Sequence, residues 1–285
     1  MVQKIQTNMN HGVHDQLLEE FCVLVKRWLN SSPSNLCQAI EPRLLANADD
    51  RLAATYELAF WRLLESQGLE VSYSPALGSK TPDFSAGKVA DDEFYCEVAC
   101  IFRNRAEIKH ENSRASNGIP MNVTTIGANL ETEAELIQKV ISKKASKYGA
   151  VKDLNKPLLI VLGNGHGNAF FAKAIEYALF GAITMTFGGP RHGAVSRRFG
   201  AGILSKNIFL AQPQNTRISG VLFLEPRDTS GDRLGVLAGL YHNPWAKNPI
   251  EPYLFPSLRQ FVVLERGPNG MKMGWQPEEE QWIYI

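Results

Sequence analysis

The run FYCEVACIF (Phe94–Phe102) constrains the chain most, because it carries a single charge, Glu97, among apolar and aromatic residues. Such a run reads as a buried strand, with Glu93–Phe102 as its expected span. Period-two alternation puts Phe94, Cys96, Val98 and Cys100 on one face, and Tyr95, Glu97, Ala99 and Ile101 on the other. A carboxylate there is costly to bury unless something positive meets it. Two more carboxylates share the problem. Glu57 lies on the packed face of RLAATYELAFWRLLESQG, beside Ala53, Phe60 and Leu64, and Asp83 follows Pro82 in the turn-like SKTPDF. Each has an ordinary reading: an ion-pair partner for Glu57, an Asx-type turn for Asp83, an outward position on an edge strand for Glu97. Together they are explained most economically by a divalent ion with oxygen ligands, Mg2+ or Mn2+.

Apolar periodicity orders the rest of the chain. Residues 14–29 place Leu17, Leu18, Phe21, Leu24, Val25, Trp28 and Leu29 on one helical stripe. A second helix is expected from Arg51 to about Gln67, capped by Asp49 or Asp50 and stopped at Gly68. Short strands follow at Glu70–Tyr73 and Asp83–Ala86, the latter pairing with the Glu97 strand through a loop at Gly87–Asp92. Asn104–Asn129 lacks a period and reads as a loop. Glu131–Tyr148 is a helix with Ala134, Ile137, Ile141, Ala145 and Tyr148 on its apolar face. Leu158–Leu162 reads as a buried strand, Ala169–Phe180 as a helix, and the glycine-rich 181–217 as loops with short strands. Ser219–Leu224 and Gln260–Leu264 are the remaining strand candidates, with a Pro-rich stretch after Leu240 extended over the surface. The sum is one α/β domain over residues 51–285, preceded by an N-terminal helical extension over residues 1–50.

Composition narrows the function classes. Thirty basic against twenty-nine acidic residues leave a net charge of +1, so an anionic partner must meet a local basic patch. Hydrophobic residues at 44% support a substantial core. The start MVQKIQTNMNHGVHD has no apolar signal core and no run nears the roughly 18 apolar residues of a membrane span, so a cytoplasmic protein without a membrane partner is expected. The four cysteines have no zinc spacing. Cys96 and Cys100, about 13 Å apart on one strand face, are too distant for a disulfide and read as reduced thiols.

The order Glu57, Pro82-Asp83, Glu97-Val98-Ala99, followed by a helix, resembles the PD-(D/E)XK nuclease superfamily over residues 51–162. The likeness is to a bacterial member with a degenerate third motif, since Ala99 stands where the family has lysine. The resemblance implies a restriction-endonuclease-like core, a mixed central β-sheet flanked by helices, and metal-dependent hydrolysis of nucleic acid, DNA before RNA. It implies Asp83 and Glu97 as metal ligands, with Glu57 supporting the metal or its waters. Some families of this type carry Gln-x-x-x-Tyr on the second helix, and Lys144-x-x-x-Tyr148 is similar to it. Lys144, on the border of the apolar face, is therefore the candidate relocated catalytic lysine. Its neighbours Lys139, Lys143 and Lys147 form a basic face that is either solvated or turned to phosphates.

Other signals are less specific. Arg191, His192, Arg197 and Arg198 sit in a glycine-rich setting suited to phosphate contact or to a surface loop. The run GNGHGN (Gly163–Asn168) lacks Gly-Lys-Ser/Thr, and a turn before a helix is its default reading over nucleotide binding. The rival to a nuclease is a catalytically inactive member of the fold that binds nucleic acid or a protein, with Ala99 as its mark. Whether two copies pair as a homodimer is left open by the sequence.

Overall fold

The computed structural model describes residues 16–102, 124–148, 155–165, 171–181, 183–187, 195–199, 201–205, 213–230, 233–267, 270–279 and 282–285. Three helices open it: α1 (16–28), α2 (Ser34–Leu44) and α3 (Ala48–Ser66). The Asn47 side chain caps α3, accepting from the Asp49 and Asp50 amides at 3.0 Å each. Asp49 and Asp50, expected as caps, fall instead in the first turn, where their charge complements the helix dipole. Phe21, Leu24, Val25, Leu36 and Ile40 from the first two helices share one apolar core with Leu58, Phe60 and Leu64 of α3. Removing these side chains from water is the main force holding that layer.

Among the described residues, the central sheet has nine strands. Along its main path stand β1 (Glu70–Tyr73), β2 (Phe84–Gly87), β3 (Phe94–Ile101), β4 (Leu158–Asn164), β7 (Gly220–Ser230), β8 (Arg233–His242), β9 (Arg259–Gly267) and β10 (Gly270–Gln276), while β11 (Trp282–Tyr284) pairs with β8. β1, β2 and β3 run antiparallel; β3, β4 and β7 are parallel neighbours. Helix α4 (Thr124–Ser146) connects β3 to β4, and α5 (Phe171–Phe180) follows β4. A separate hairpin pairs β5 (Ile183–Phe187) with β6 (Val195–Phe199).

The sheet divides two cores. Phe94, Cys96 and Val98 of β3 join the α1–α3 side, while Ile101, Ala99 and Tyr95 join Ile137 and Ile141 of α4 on the other. That is the alternation written in FYCEVACIF. β4, covered on both faces, is buried along its whole length, as a central parallel strand requires. Here α3 lies very close: a Cβ on Gly163 would come 2.5 Å from the Tyr56 ring, whose hydroxyl donates to the Asn164 carbonyl at 2.8 Å.

Several boundaries differ from the sequence reading. α4 begins at Thr124, inside the segment read as loop. Gln260–Leu264 is not the last strand, because β10 and β11 follow it. β8 was not expected at all. Its residues from Leu234 to Tyr241 are all buried, so polar alternation is missing, and Gly235 and Gly239 interrupt the apolar run. The Pro-rich stretch buries Ile250, Leu254 and Phe255 rather than crossing the surface. Among the described residues, no helix is long and apolar enough to cross a membrane.

Candidate active site

β2 and β3 pair with Phe84 opposite Cys96, which leaves Asp83 at the strand entrance across from Glu97. Asp83 is fastened on both sides of that position. Its amide donates to the Cys96 carbonyl at 3.0 Å, and its Oδ2 accepts from the Val98 amide at 2.8 Å. Glu97 sits mid-strand with no exposed surface, turned to the α4 side. Lys144 lies in the last turn of α4 and Lys147 and Tyr148 in the turn that continues it, spaced i, i+3 and i+4, which brings the three side chains onto one face.

All three converge on Glu97. Lys144 Nζ donates to Glu97 Oε2 at 2.8 Å, and Lys147 Nζ to Oε1 at 2.6 Å. The Tyr148 hydroxyl donates to the same Oε1. Lys144 also reaches Asp83 Oδ2 at 3.4 Å, so one ammonium contacts an oxygen of each carboxylate. Lys147 further donates to the Thr81 carbonyl at 2.8 Å and lies 5.5 Å over the Tyr148 ring. Two anions face two cations, Glu97 fully buried and the other three side chains partly exposed, and the hydrogen bonds make the burial of Glu97 tolerable.

Protonation follows from that geometry. Burial pushes the Asp83 carboxyl above its ordinary value; Lys144 opposes the rise and Glu97 adds to it. Burial alone would lower Lys144, but the facing Asp83 and Glu97 outweigh it and hold the ammonium above its ordinary value. Tyr148 is driven far upward, first by burial and then by its bond to Glu97, so its phenol stays a neutral donor.

Glu57 meets a different partner. Both of its oxygens are taken by Arg43, Nη1 to Oε2 and Nη2 to Oε1, each at 2.7 Å. Burial raises the Glu57 carboxyl while the Arg43 hydrogen bond opposes that rise. Bidentate engagement by a guanidinium satisfies a buried carboxylate without any ion. Among the described residues, no set of three His, Cys, Asp or Glu side chains is grouped to hold a metal. The oxygen donors brought together are thus the two carboxylates of Asp83 and Glu97.

Of the other candidates, Lys147 stands on Glu97 rather than on an outer basic face, while Lys139 and Lys143 are exposed. Arg197 and Arg198 lie on β6, opposite Met185 and Thr184, and Arg191 lies outside the described residues. Ala99 packs into the second core, so the cation reaching both carboxylates comes from α4 and not from β3. In the GNGHGN run, Gly163 makes room for Tyr56, and a Cβ on Gly165 would meet the Ile101 carbonyl at 2.6 Å. Close packing accounts for those two glycines without a phosphate. The positions 166–168 lie outside the described residues.

Sequence reasoning missed Arg43 and the engagement of Tyr148 and Lys147 with Glu97. For the latter two a signal existed, since their i+3 and i+4 spacing from Lys144 puts them on its face. Arg43 had none, being an ordinary basic residue near a helix end. No protein-family model, curated protein or solved structure matches the chain.

Proposed function

We propose that this chain is a metal-dependent phosphodiesterase acting on nucleic acid, DNA in the first place, with Asp83, Glu97 and Lys144 as its centre. The carrying observation is the single ammonium that contacts an oxygen of both carboxylates, one on β3 and one at the entrance of the neighbouring β2. The element order α3-β1-β2-β3-α4-β4, antiparallel through β3 and then parallel, supports a restriction-endonuclease-like core.

The donor set suits the ion. Carboxylate oxygens favour hard cations such as Mg2+ or Mn2+, whose remaining positions are filled by water and phosphate oxygens. Bound there, such an ion would acidify a water and offset charge on the departing oxygen. Asp83 and Glu97 would hold it. Lys144 orients the attacking water and meets the scissile phosphate, the role that the lysine missing at position 99 has in the resembling family. Lys147 and Tyr148 keep Glu97 aimed. The Arg43–Glu57 pair stiffens the wall beside Asp83 rather than ligating the ion. Lys139 and Lys143, exposed on the same helix, would meet the backbone of the substrate.

One observation favours the second reading, a binding protein without catalysis: the four charges already satisfy one another. Incubation with linear, nicked and single-stranded DNA and with RNA, in Mg2+ and Mn2+, separates the two. The proposal expects cleavage that chelation stops and that falls at least about a hundredfold in Asp83→Ala and Lys144→Ala. Binding of nucleic acid without any cleavage selects the second reading.

A further inference from the structure

Lys144 holds one oxygen of each carboxylate that a metal ion at this site would draw on. The ammonium sits 2.8 Å from Glu97 Oε2 and 3.4 Å from Asp83 Oδ2. An ion ligated by those atoms would lie about 2.1 Å from each, and an ammonium left in place would stand almost in contact with a divalent charge. Both cannot occupy the gap. From this juxtaposition we infer that Lys144 is a built-in competitor of the metal: the ion enters only as the ammonium leaves, so the side chain that serves catalysis also restrains ion binding until a phosphate offers it another anionic partner. This rests on the metal site proposed above and adds its regulation.

The neighbouring groups make the exchange mechanically reasonable. When Lys144 withdraws, Glu97 keeps Lys147 and the Tyr148 hydroxyl on Oε1, and Asp83 keeps the Val98 amide on Oδ2. The site is therefore not left unsupported. Lys144 is 27% exposed at its side chain and lies on the last turn of α4, so its flexible stem can turn outward. Lys147 is different. Its ammonium is tied to Glu97 Oε1 and the Thr81 carbonyl, and no contact with Asp83 places it between the carboxylates. Both lysines carry one charge, but only Lys144 stands where the ion must go. No covalent step is involved; one cation replaces another on the same pair of anions.

The test is a Mn2+ titration of the full chain, read by electron paramagnetic resonance of free Mn2+. It compares the wild type with Lys144→Met, Lys144→Gln, Lys147→Met and Asp83→Asn, each checked for folding by circular dichroism. The expected result is binding about tenfold or more tighter in both Lys144 variants than in the wild type. The Lys147→Met gain should be clearly smaller, and binding should be lost in Asp83→Asn. Should Lys144→Met not fold, Lys144→Gln, which keeps a polar head without the charge, carries the comparison. Equal or weaker binding in a folded Lys144 variant overturns the inference. So does an equal gain in Lys147→Met, which would make the effect one of net charge. Absence of saturable Mn2+ binding in every form overturns both the inference and the metal site. Tightening in the Lys144 variants without nucleic-acid cleavage by the wild type would uphold the competition and remove the nuclease reading.

Discussion

At Glu97 a fully buried carboxylate holds three donors, and at Glu57 a nearly buried one holds a guanidinium; the two solutions have different consequences. Removing Arg43 leaves Glu57 with a charge and no partner. Arg43→Ala is expected to destabilise the fold by about 2 kcal/mol, less than a fully dry pair because the arginine is 36% exposed at its side chain. Urea unfolding measures it, and Arg43→Met combined with Glu57→Leu should recover most of the loss, since both charges then leave together. Full stability of Arg43→Ala alone would mean that water already satisfies Glu57. The need of these carboxylates for partners could be read from their apolar surroundings. Their partners could not: Arg43 lies fourteen positions from Glu57 and Lys144 forty-seven from Glu97, separations that only the tertiary fold closes.

Element by element, the packing of α3 over β4 and the joint of β8 with β9 are open to test. Gly163 lies under Tyr56, a fully buried ring with no room to retreat, so Gly163→Ala should cost about 1–3 kcal/mol and lower the melting temperature. At the joint, His242 Nε2 meets Gln260 Oε1 at 2.7 Å, and burial holds the imidazole below its ordinary pKa of 6.5 despite that bond. Below about pH 6.5 the unfolded chain takes up a proton that the folded chain refuses, so stability falls as the pH falls, by at most about 1.4 kcal/mol per unit. Unfolding followed between about pH 7 and pH 5 checks this. His242→Gln should flatten the slope; an unchanged slope would assign it elsewhere. β3, apolar on both faces, announces itself as a nearly unbroken apolar and aromatic run around Glu97. β8 does not, because Gly235 and Gly239 interrupt its apolar run, and at Gly239 a Cβ would come 2.5 Å from the Phe223 ring. The opening of α4 was hidden for a different reason: Gly127 and Asn129, poor helix formers, fall in its first turns.

For the whole molecule, the sheet gathers α2, α3, β3 and α4 around one polar locus, while a net charge of +1 gives no long-range attraction for nucleic acid. An ion that binds the folded chain alone must stabilise all of it. Mn2+ at a hundredfold excess over its Kd should add about 2.7 kcal/mol, raising the melting temperature of the wild type and not that of Asp83→Asn. The α/β class and the meeting of β2 with β3 could be anticipated from patterning, whereas the competition at Lys144 depends on ångström distances that no pattern carries. The decisive measurement is the initial rate of duplex DNA cleavage in Mg2+ by the wild type and by Glu97→Gln, which replaces the carboxylate by a neutral amide of nearly the same shape. A wild-type rate that vanishes with chelator and is at least about a hundredfold above that of folded Glu97→Gln is the expected result. Equal rates in the two proteins, or none in the wild type, would contradict a catalytic centre at Asp83, Glu97 and Lys144.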